Sequence, residues 1–147
     1  MNELLYKQIE NIIDKDLPLV SNLSNVSSLL FKMDNLNWAG FYLSNGEYLY
    51  LGPFQGDVAC TRIPFNKGVC GKAYSDKKSI IVDDVNKFPG HIACSSLSKS
   101  EIVVPIKKDD VAFGVIDIDA PVYSRFKKED QELLEKVAEL LVLLFAR

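Results

Sequence analysis

The chain has 147 residues, 48% of them hydrophobic, and a formal net charge of -3, which are ordinary values for one globular domain. The acidic balance and the scattered lysines argue against a nucleic-acid partner. No apolar run approaches the ~20 residues that a membrane-spanning helix needs, and the first residues do not start a signal peptide. We therefore expect a cytoplasmic protein with no membrane partner.

Helical periodicity marks both ends of the chain. Apolar residues recur at helical spacing in residues 1–15, from Pro18 to Met33 and in residues 127–147. The period between these regions is close to two, which is typical of strands. The predicted strands are 37–43, 47–51, 58–64, 79–82, 101–106 and 112–119. A short helix is predicted over 69–75 and a loop over 52–56.

Short turns join most of these strands, so the sheet is predicted to be mainly antiparallel. Ser44-Asn45-Gly46 is the plainest hairpin turn, because glycine can take positive φ there. Helices from both ends of the chain would then cover one face of the sheet and leave the other face for the loop that follows the fourth strand. The prediction is an α+β fold in a single domain over residues 1–147.

That loop, residues 84–100, has no clear periodicity and is long for a compact domain, which is typical of functional segments. It contains His91, the single histidine, and Cys94. A structural cysteine is usually a small buried hydrophobe, and a polar loop gives it little to pack against. We therefore interpret Cys94 as a reactive thiol. His91 either helps to lower its pKa or only ties down the loop through hydrogen bonds, and the second role is preferred.

Cys60 and Cys70 are the remaining cysteines. An odd count excludes a complete internal disulfide framework, and the spacings fit no zinc pattern, so no metal site is predicted. From the residues alone, Cys60 and Cys70 are either redox partners of Cys94 or reduced thiols that fill space.

Three acids lie on otherwise apolar strands. Asp117 and Asp119 alternate, so both carboxylates point to one face, and Glu101 opens the preceding strand. Neighbouring carboxylates repel unless a cation or proton lies between them. We favour a pocket that binds an ammonium group or donates a proton over a solvated strand end. Trp38 and Tyr42 share a strand face and are either core or a wall for a methyl, thioether or cationic group.

Six segments together resemble the free methionine-R-sulfoxide reductases, which are single GAF-domain enzymes. They are Leu51–Gly56, Val58–Pro64, Gly68–Gly71, Phe88–Cys94, Ser100–Pro105 and Gly114–Asp119. The resemblance covers nearly the whole chain from Trp38, and all three cysteines and all three acids fall within it. It implies a GAF-like fold and an oxidoreductase that reduces free L-methionine-(R)-S-oxide without a cofactor.

The resemblance also implies roles for the cysteines. Cys94 matches the attacking thiol, which becomes a sulfenic acid. Cys60 matches the resolving thiol that forms a disulfide with Cys94, and Cys70 matches a third cysteine that can form an alternative disulfide. A thioredoxin-type reductant would restore the thiols.

The remaining matches concern the substrate. Glu101, Asp117 and Asp119 match the acidic cluster that holds it, while Trp38 and Tyr42 match its aromatic wall. Apart from these matches, we suggest that backbone N–H groups around Ile92 to Cys94 bind the substrate carboxylate. Two alternatives stay open: a GAF sensor that binds a small ligand without chemistry, and a thiol redox sensor that acts through a partner. The N-terminal helices carry no family motif, and pairing of such helices in a homodimer is a further hypothesis.

Overall fold

The structure is a computed structural model and describes residues 2–92 and 97–145. Its four α-helices and six strands are, in chain order, α1 Asn2–Ile12, α2 Leu19–Leu30, β1 Trp38–Ser44, β2 Tyr48–Gly56, β3 Arg62–Pro64, α3 Gly68–Asp76, β4 Ile80–Val82, β5 Ser100–Lys108, β6 Val111–Ala120 and α4 Lys128–Phe145. A 3₁₀ turn, Val85–Lys87, follows β4. None of the helices in these two ranges is long and apolar enough to cross a membrane.

The strands form one antiparallel sheet in the order β3-β2-β1-β6-β5-β4. Helix α2 packs on β1 and β2, α4 packs on β5 and β6, and α1 contacts both helices. The apolar stripes of the three helices meet the inward residues of the sheet, such as Phe41, Ile116 and Ile118, all fully buried. The predicted α+β fold, with helices from both chain ends on one face, is confirmed.

The opposite face of the sheet carries α3, which packs on β3, β5 and β6. A second buried cluster forms there around Trp38, Tyr42, Cys70, Val103 and Val115. Residues of β1, β5 and β6 alternate between the two clusters, as period two requires. The sheet therefore separates a helix-covered face, built by α1, α2 and α4, from a site face, built by α3 and the irregular segments.

The prediction of a loop over residues 52–56 is wrong, because β2 continues to Gly56. The register between β1 and β2 shifts between Gly40 and Tyr42, so the strand contains a bulge. Pro53 sits at this bulge, where a missing N–H donor breaks no ladder hydrogen bond. A Cβ at Gly40 would collide with Phe54, so glycine permits the close approach of the two strands.

The third strand is shorter than predicted, since β3 begins only at Arg62. Residues 57–61, which precede β3, are held by hydrogen bonds from two aromatic side chains of β1. Trp38 Nε1 donates to the carbonyl oxygen of Asp57 at 3.1 Å, and Tyr42 Oη donates to that of Cys60 at 2.8 Å. Residues 57–61 consequently fold over the site face, and Cys60 lies in this connection rather than in a strand.

Candidate active site

A cavity of about 40 Å³ lies on the site face, between the sheet, the start of α3 and the connection 57–61. The described residues that border it include three acids, two aromatic rings, one thiol and one imidazole: Glu101, Asp117, Asp119, Trp38, Tyr42, Cys70 and His91. Six of the eight residues predicted to form the site therefore meet at one place. Cys60 packs against the same cluster, and Cys94 lies outside the described residues.

Strand register brings the acids together. Glu101 of β5 pairs with Asp119 of β6, and Asp117 is two residues away on the same face. Glu101 and Asp117 are only 6% and 5% exposed. Among the described residues, neither Asp117 Oδ1 nor Asp119 Oδ1 has a hydrogen-bond partner, although both atoms are buried. Buried acceptors without donors are costly, so the arrangement favours a ligand that brings hydrogen-bond donors.

Burial dominates the electrostatics of this cluster. It raises the pKa of Glu101 well above the usual range, and the neighbouring charges of Asp117 and Asp119 raise it further. Burial, followed by the charge of Asp117, likewise raises the pKa of Asp119 well above its usual value. The pKa of Asp117 is also raised by burial, but hydrogen bonding with Glu101 and Cys70 opposes the shift. Asp117 is thus the acid best placed to carry the negative charge.

Cys70 occupies the first turn of α3 and carries a free, buried thiol. Its sulfur and one carboxylate oxygen each from Glu101 and Asp117 lie within 4.8 Å of one another. Burial, and then the charge of Asp117, raises the pKa of this thiol well above its usual value. Gly68, which begins the helix at φ 63°, brings the first turn close to Ile92.

Stacked aromatic rings form the opposite wall of the cavity. The ring centroids of Trp38 and Tyr42 are 5.9 Å apart, and the ring of Phe54 also stacks on Trp38, at 5.1 Å. Burial, followed by the charge of Asp117, raises the pKa of Tyr42, so its hydroxyl stays a proton donor to Cys60. This wall is apolar, flat and next to the acids, which suits a ligand with a methyl group and a cationic group.

His91 closes one side of the cavity. Its Nε2 lies 3.8 Å from Glu101 Oε1, and its backbone N–H donates to the carbonyl oxygen of Phe88 at 3.2 Å. Burial lowers the pKa of its imidazole, and the charge of Asp117 only partly offsets this. The lowered pKa favours the neutral imidazole, which agrees with a role of His91 in holding the loop.

The GAF domain family model matches residues 19–144. The free methionine-R-sulfoxide reductase of Saccharomyces cerevisiae is 51% identical to this chain, over 95% of the chain and 82% of the relative. The chain belongs to this GAF-domain reductase family. The fRMsr of Staphylococcus aureus in its reduced form is 49% identical, with a TM-score of 0.92 over 97% of this chain and 94% of that one.

A second solved member of the reductase family is similar along nearly its whole length. The free methionine-R-sulfoxide reductase from Neisseria meningitidis, in complex with its substrate, is 41% identical with a TM-score of 0.92, over 98% of this chain and 87% of that one. The family resemblance read from the motifs and the GAF-like fold are thereby confirmed.

Sequence reasoning missed three residues that border this cavity or support its lining. Phe54 was assigned to a loop, although an aromatic residue beside Pro53 in a strand that pairs with Trp38 is a usable signal. Ser98 donates to Asp119 Oδ2 at 3.1 Å and accepts from Asn37 Nδ2 at 3.1 Å, which no sequence pattern reveals. Lys67 borders the cavity just before α3; a lysine ahead of a helix start could have been considered as an anion partner.

Two cysteines differ in state. Cys60 is disulfide-bonded, whereas Cys70 is a free thiol. Cys60 is also half-buried in the connection that the two aromatic hydrogen bonds hold over the site. The predicted roles of the cysteines as nucleophile, resolving thiol and third thiol stay predictions at this point.

Proposed function

We propose that the protein reduces free L-methionine-(R)-S-oxide to L-methionine through the Cys94 thiol. Family membership makes it an oxidoreductase, and one observation carries the choice of substrate. Two buried carboxylate oxygens without partners, on Asp117 and Asp119, lie in the same cavity as a stacked aromatic wall. A free amino acid brings an ammonium group for the first feature and an apolar end for the second.

The ammonium group of the substrate would donate to Asp117 Oδ1 and Asp119 Oδ1. Charge-assisted hydrogen bonds of this kind are worth about 1.5–3 kcal/mol each where the alternative is an unsatisfied acceptor. The S-methyl group would pack on Trp38. A methionine sulfoxide inside a protein has no free amino group at its own backbone, so it would leave both acceptors unsatisfied. This supports a preference for the free amino acid.

The substrate carboxylate needs a cationic or N–H partner of its own. We propose that backbone N–H groups around residues 92–94 bind this carboxylate, and that the N-terminus of α3 attracts it as well. Lys67 and the first turn of α3 border the cavity, where a helix N-terminus favours anions. The cavity of about 40 Å³ has room for only a few waters. Binding of the amino acid therefore requires the connection 57–61 or the loop at 88–92 to move outward.

Glu101 is our candidate for the proton donor to the sulfoxide oxygen. Sulfoxide reduction needs a proton on oxygen, and a carboxylic acid that stays neutral at physiological pH can supply one. The pKa of Glu101 is raised well above its usual range by burial and by Asp117. Asp117, whose raised pKa is opposed by hydrogen bonding with Glu101 and Cys70, would remain the anion that pairs with the ammonium group.

The proposed reaction has two steps, reduction of the sulfoxide by Cys94 and formation of a disulfide with Cys60. The Cys94 thiolate attacks the sulfoxide sulfur while the oxygen is protonated; the S–O bond breaks, the oxygen passes to Cys94 as a sulfenic acid and methionine leaves. The substrate sulfur gains two electrons and Cys94 loses them. The Cys60 thiol then attacks the sulfenic sulfur, water leaves, and a Cys60–Cys94 disulfide forms. An external dithiol of the thioredoxin type would exchange with that disulfide.

The disulfide-bonded state of Cys60 and the free thiol of Cys70 support this pairing. Cys70 is a poor nucleophile, because burial and the charge of Asp117 raise its pKa and keep it protonated. An alternative disulfide through Cys70 would need it to leave its position among the acids. Reducible thiols with a catalytic role suit a reducing compartment, which supports our proposal of a cytoplasmic location.

The deciding experiment measures turnover of the free R-sulfoxide in a thioredoxin-coupled assay for the parent and for Cys94→Ser. We expect the variant to lose at least about 10³-fold in rate, as for other nucleophile deletions. The S epimer and a peptide-bound R-sulfoxide serve as substrate controls, and neither should be reduced comparably. Undiminished turnover by Cys94→Ser would end the proposal.

The companion variant Cys60→Ser separates attack from recycling. It should release methionine once per chain in a rapid phase and then turn over slowly, because the sulfenic acid lacks its resolving thiol. Rapid-quench detection of methionine measures both phases. If the protein were a non-catalytic sensor, the parent and the Cys60→Ser variant would both bind the sulfoxide and release no methionine. Normal steady-state rates in Cys60→Ser without use of Cys70 would contradict the assigned pairing of Cys60 with Cys94.

A further inference from the structure

Cys70 borders the cavity, and the proposed reaction gives its thiol no chemical step. Its sulfur nevertheless lies within 4.8 Å of carboxylate oxygens from both Glu101 and Asp117, and all three side chains are buried. One thiol and two carboxylates converging on one point form a donor set that zinc accepts. The sequence spacing gave no hint of this, because the fold joins three distant elements, α3, β5 and β6.

Buried carboxylate oxygens without hydrogen-bond partners are a second observation, apart from the clustering of ligands, that favours a cation here. Asp117 is 5% exposed, and its Oδ1 has no hydrogen-bond partner among the described residues. Asp119 Oδ1, on the same face, is also buried without a partner in those residues. Several buried carboxyl groups so close together are costly unless protons or a cation lie among them, and a cation can replace those protons. A cavity adjoins the cluster and provides room for an ion.

We propose that this pocket is also a zinc-binding site, in which the Cys70 thiolate and the carboxylates of Glu101 and Asp117 bind one Zn²⁺ ion. Zn–S and Zn–O bonds of about 2.3 and 2.0–2.2 Å place tetrahedral ligands roughly 3.5 Å apart. The three ligand atoms, within 4.8 Å of one another, would have to approach by on the order of 1 Å. The fourth position faces the cavity, where water or an added ligand completes the tetrahedron.

Binding involves no electron transfer. The thiol and any protonated carboxyl group release their protons to solvent, and the ion replaces them as the source of positive charge. The bound ion takes the Asp117 carboxylate with which an ammonium group would pair, so Zn²⁺ and an amino acid exclude each other. The site is inhibitory rather than catalytic. It does not depend on the proposed reductase reaction, because any ligand whose cationic group enters this pocket would compete.

Cobalt substitution in a single-thiol variant gives a direct test. With Cys60→Ser and Cys94→Ser combined, Cys70 is the one cysteine left in the chain. Co²⁺ added to this variant should produce the near-ultraviolet thiolate-to-cobalt charge-transfer band, and Zn²⁺ should abolish it by displacement. The measurement needs no turnover, so the result stands whether or not the protein reduces sulfoxides.

Two further changes locate the ligands. Adding Cys70→Ser should remove the band, and adding Asp117→Asn should weaken Co²⁺ and Zn²⁺ binding by at least about 10-fold, as loss of metal-site residues generally does. Asp110→Asn, in the turn between β5 and β6, is the matched control and should change nothing. Circular dichroism checks folding, and if the Cys70→Ser protein does not fold, the band of the single-thiol parent still reports Cys70 alone.

Absence of the band in the single-thiol parent, or equal metal affinity in the Asp117→Asn and Asp110→Asn variants, would overturn the proposal. Free methionine at saturating concentration should weaken Zn²⁺ binding at least about 10-fold if it occupies the same pocket. Zinc affinity that methionine leaves unchanged, in a protein shown to bind methionine, would contradict the shared site.

Discussion

The two faces of the sheet are built from the same strands and yet follow opposite rules. On the helix-covered face, Ile116 and Ile118 are fully buried among apolar side chains. On the site face, the alternate residues of the same strand are Asp117 and Asp119, whose carboxyl groups share a small cavity. One strand thus supplies stability on one side and unsatisfied polar atoms on the other. The cost of the site face is offset by packing on the helix-covered face.

The largest expected effect is loss of stability on the helix-covered face. Ile118→Ala removes a fully buried side chain and should lower the free energy of unfolding by about 2–5 kcal/mol. Because Ile118 points away from the cavity, kcat/KM of the folded fraction should stay close to the parent value. Urea titration measures the first quantity, and an active-site-normalised assay the second. Activity lost without any loss of stability would contradict the separation of the faces.

The neighbouring residue on the site face should give the opposite result. Asp117→Asn keeps the shape of the side chain but removes the anion that we propose pairs with the substrate ammonium group, so kcat/KM should fall on the order of 10–100-fold, or about 1.5–3 kcal/mol. The melting temperature at pH 7 should rise, because a buried charge is removed. Asp110→Asn at the β5–β6 turn is the control for charge alone. A lower melting temperature with full activity would show that Asp117 serves stability rather than function, which contradicts the difference between the two faces.

The acids also set the pH dependence of stability. The folded-state pKa values of Glu101, Asp117 and Asp119 are raised above those of the unfolded chain, chiefly by burial. Their contribution to stability is therefore fully present below about pH 4 and is lost as the pH rises through the raised folded-state values.

Glu101→Gln should accordingly flatten the loss of stability that accompanies rising pH. Urea titrations of the parent and this variant at several pH values measure the difference, with Asp110→Asn as the control. A parent whose excess stability over Glu101→Gln grows with pH would contradict the raised pKa of Glu101.

The smallest expected effect concerns the substrate carboxylate. Lys67→Ala should raise KM for the free sulfoxide a few-fold, about 1 kcal/mol, and leave kcat nearly unchanged, because an exposed cation contributes little. Lys72→Ala, which changes an exposed lysine of α3 outside the cavity lining, is the matched control. Equal KM values for the two variants would remove Lys67 from the binding site.

The helix-covered face was the easier one to predict, since the 3.6-residue period of the helices and the apolar strands lead to one packing arrangement. The acid cluster was predictable as well, because Asp117 and Asp119 interrupt an apolar strand at period two. The residues that sequence patterns did not reveal depend on tertiary structure. The position of Phe54 beside Trp38 depends on the bulge at Pro53, and the contribution of Ser98 depends on its hydrogen bond to Asp119.

Cys70 is the clearest case of such a limit. Its place in a short helix could be predicted, but not its distance from Glu101 and Asp117, which lie on strands 31 and 47 positions later in the numbering. Long-range contacts of this kind arise from the topology, in which α3 crosses the site face between β3 and β4. Periodicity describes one element at a time and therefore cannot give them.

A stoichiometric thiol titration tests the central claim most directly. The fully reduced protein is mixed with free methionine-R-sulfoxide without any reductant, and thiols and methionine are counted together. We predict that two thiols per chain disappear as one methionine is released, with Cys70 still reactive after unfolding. Sulfoxide that remains intact while all three thiols survive would contradict the account.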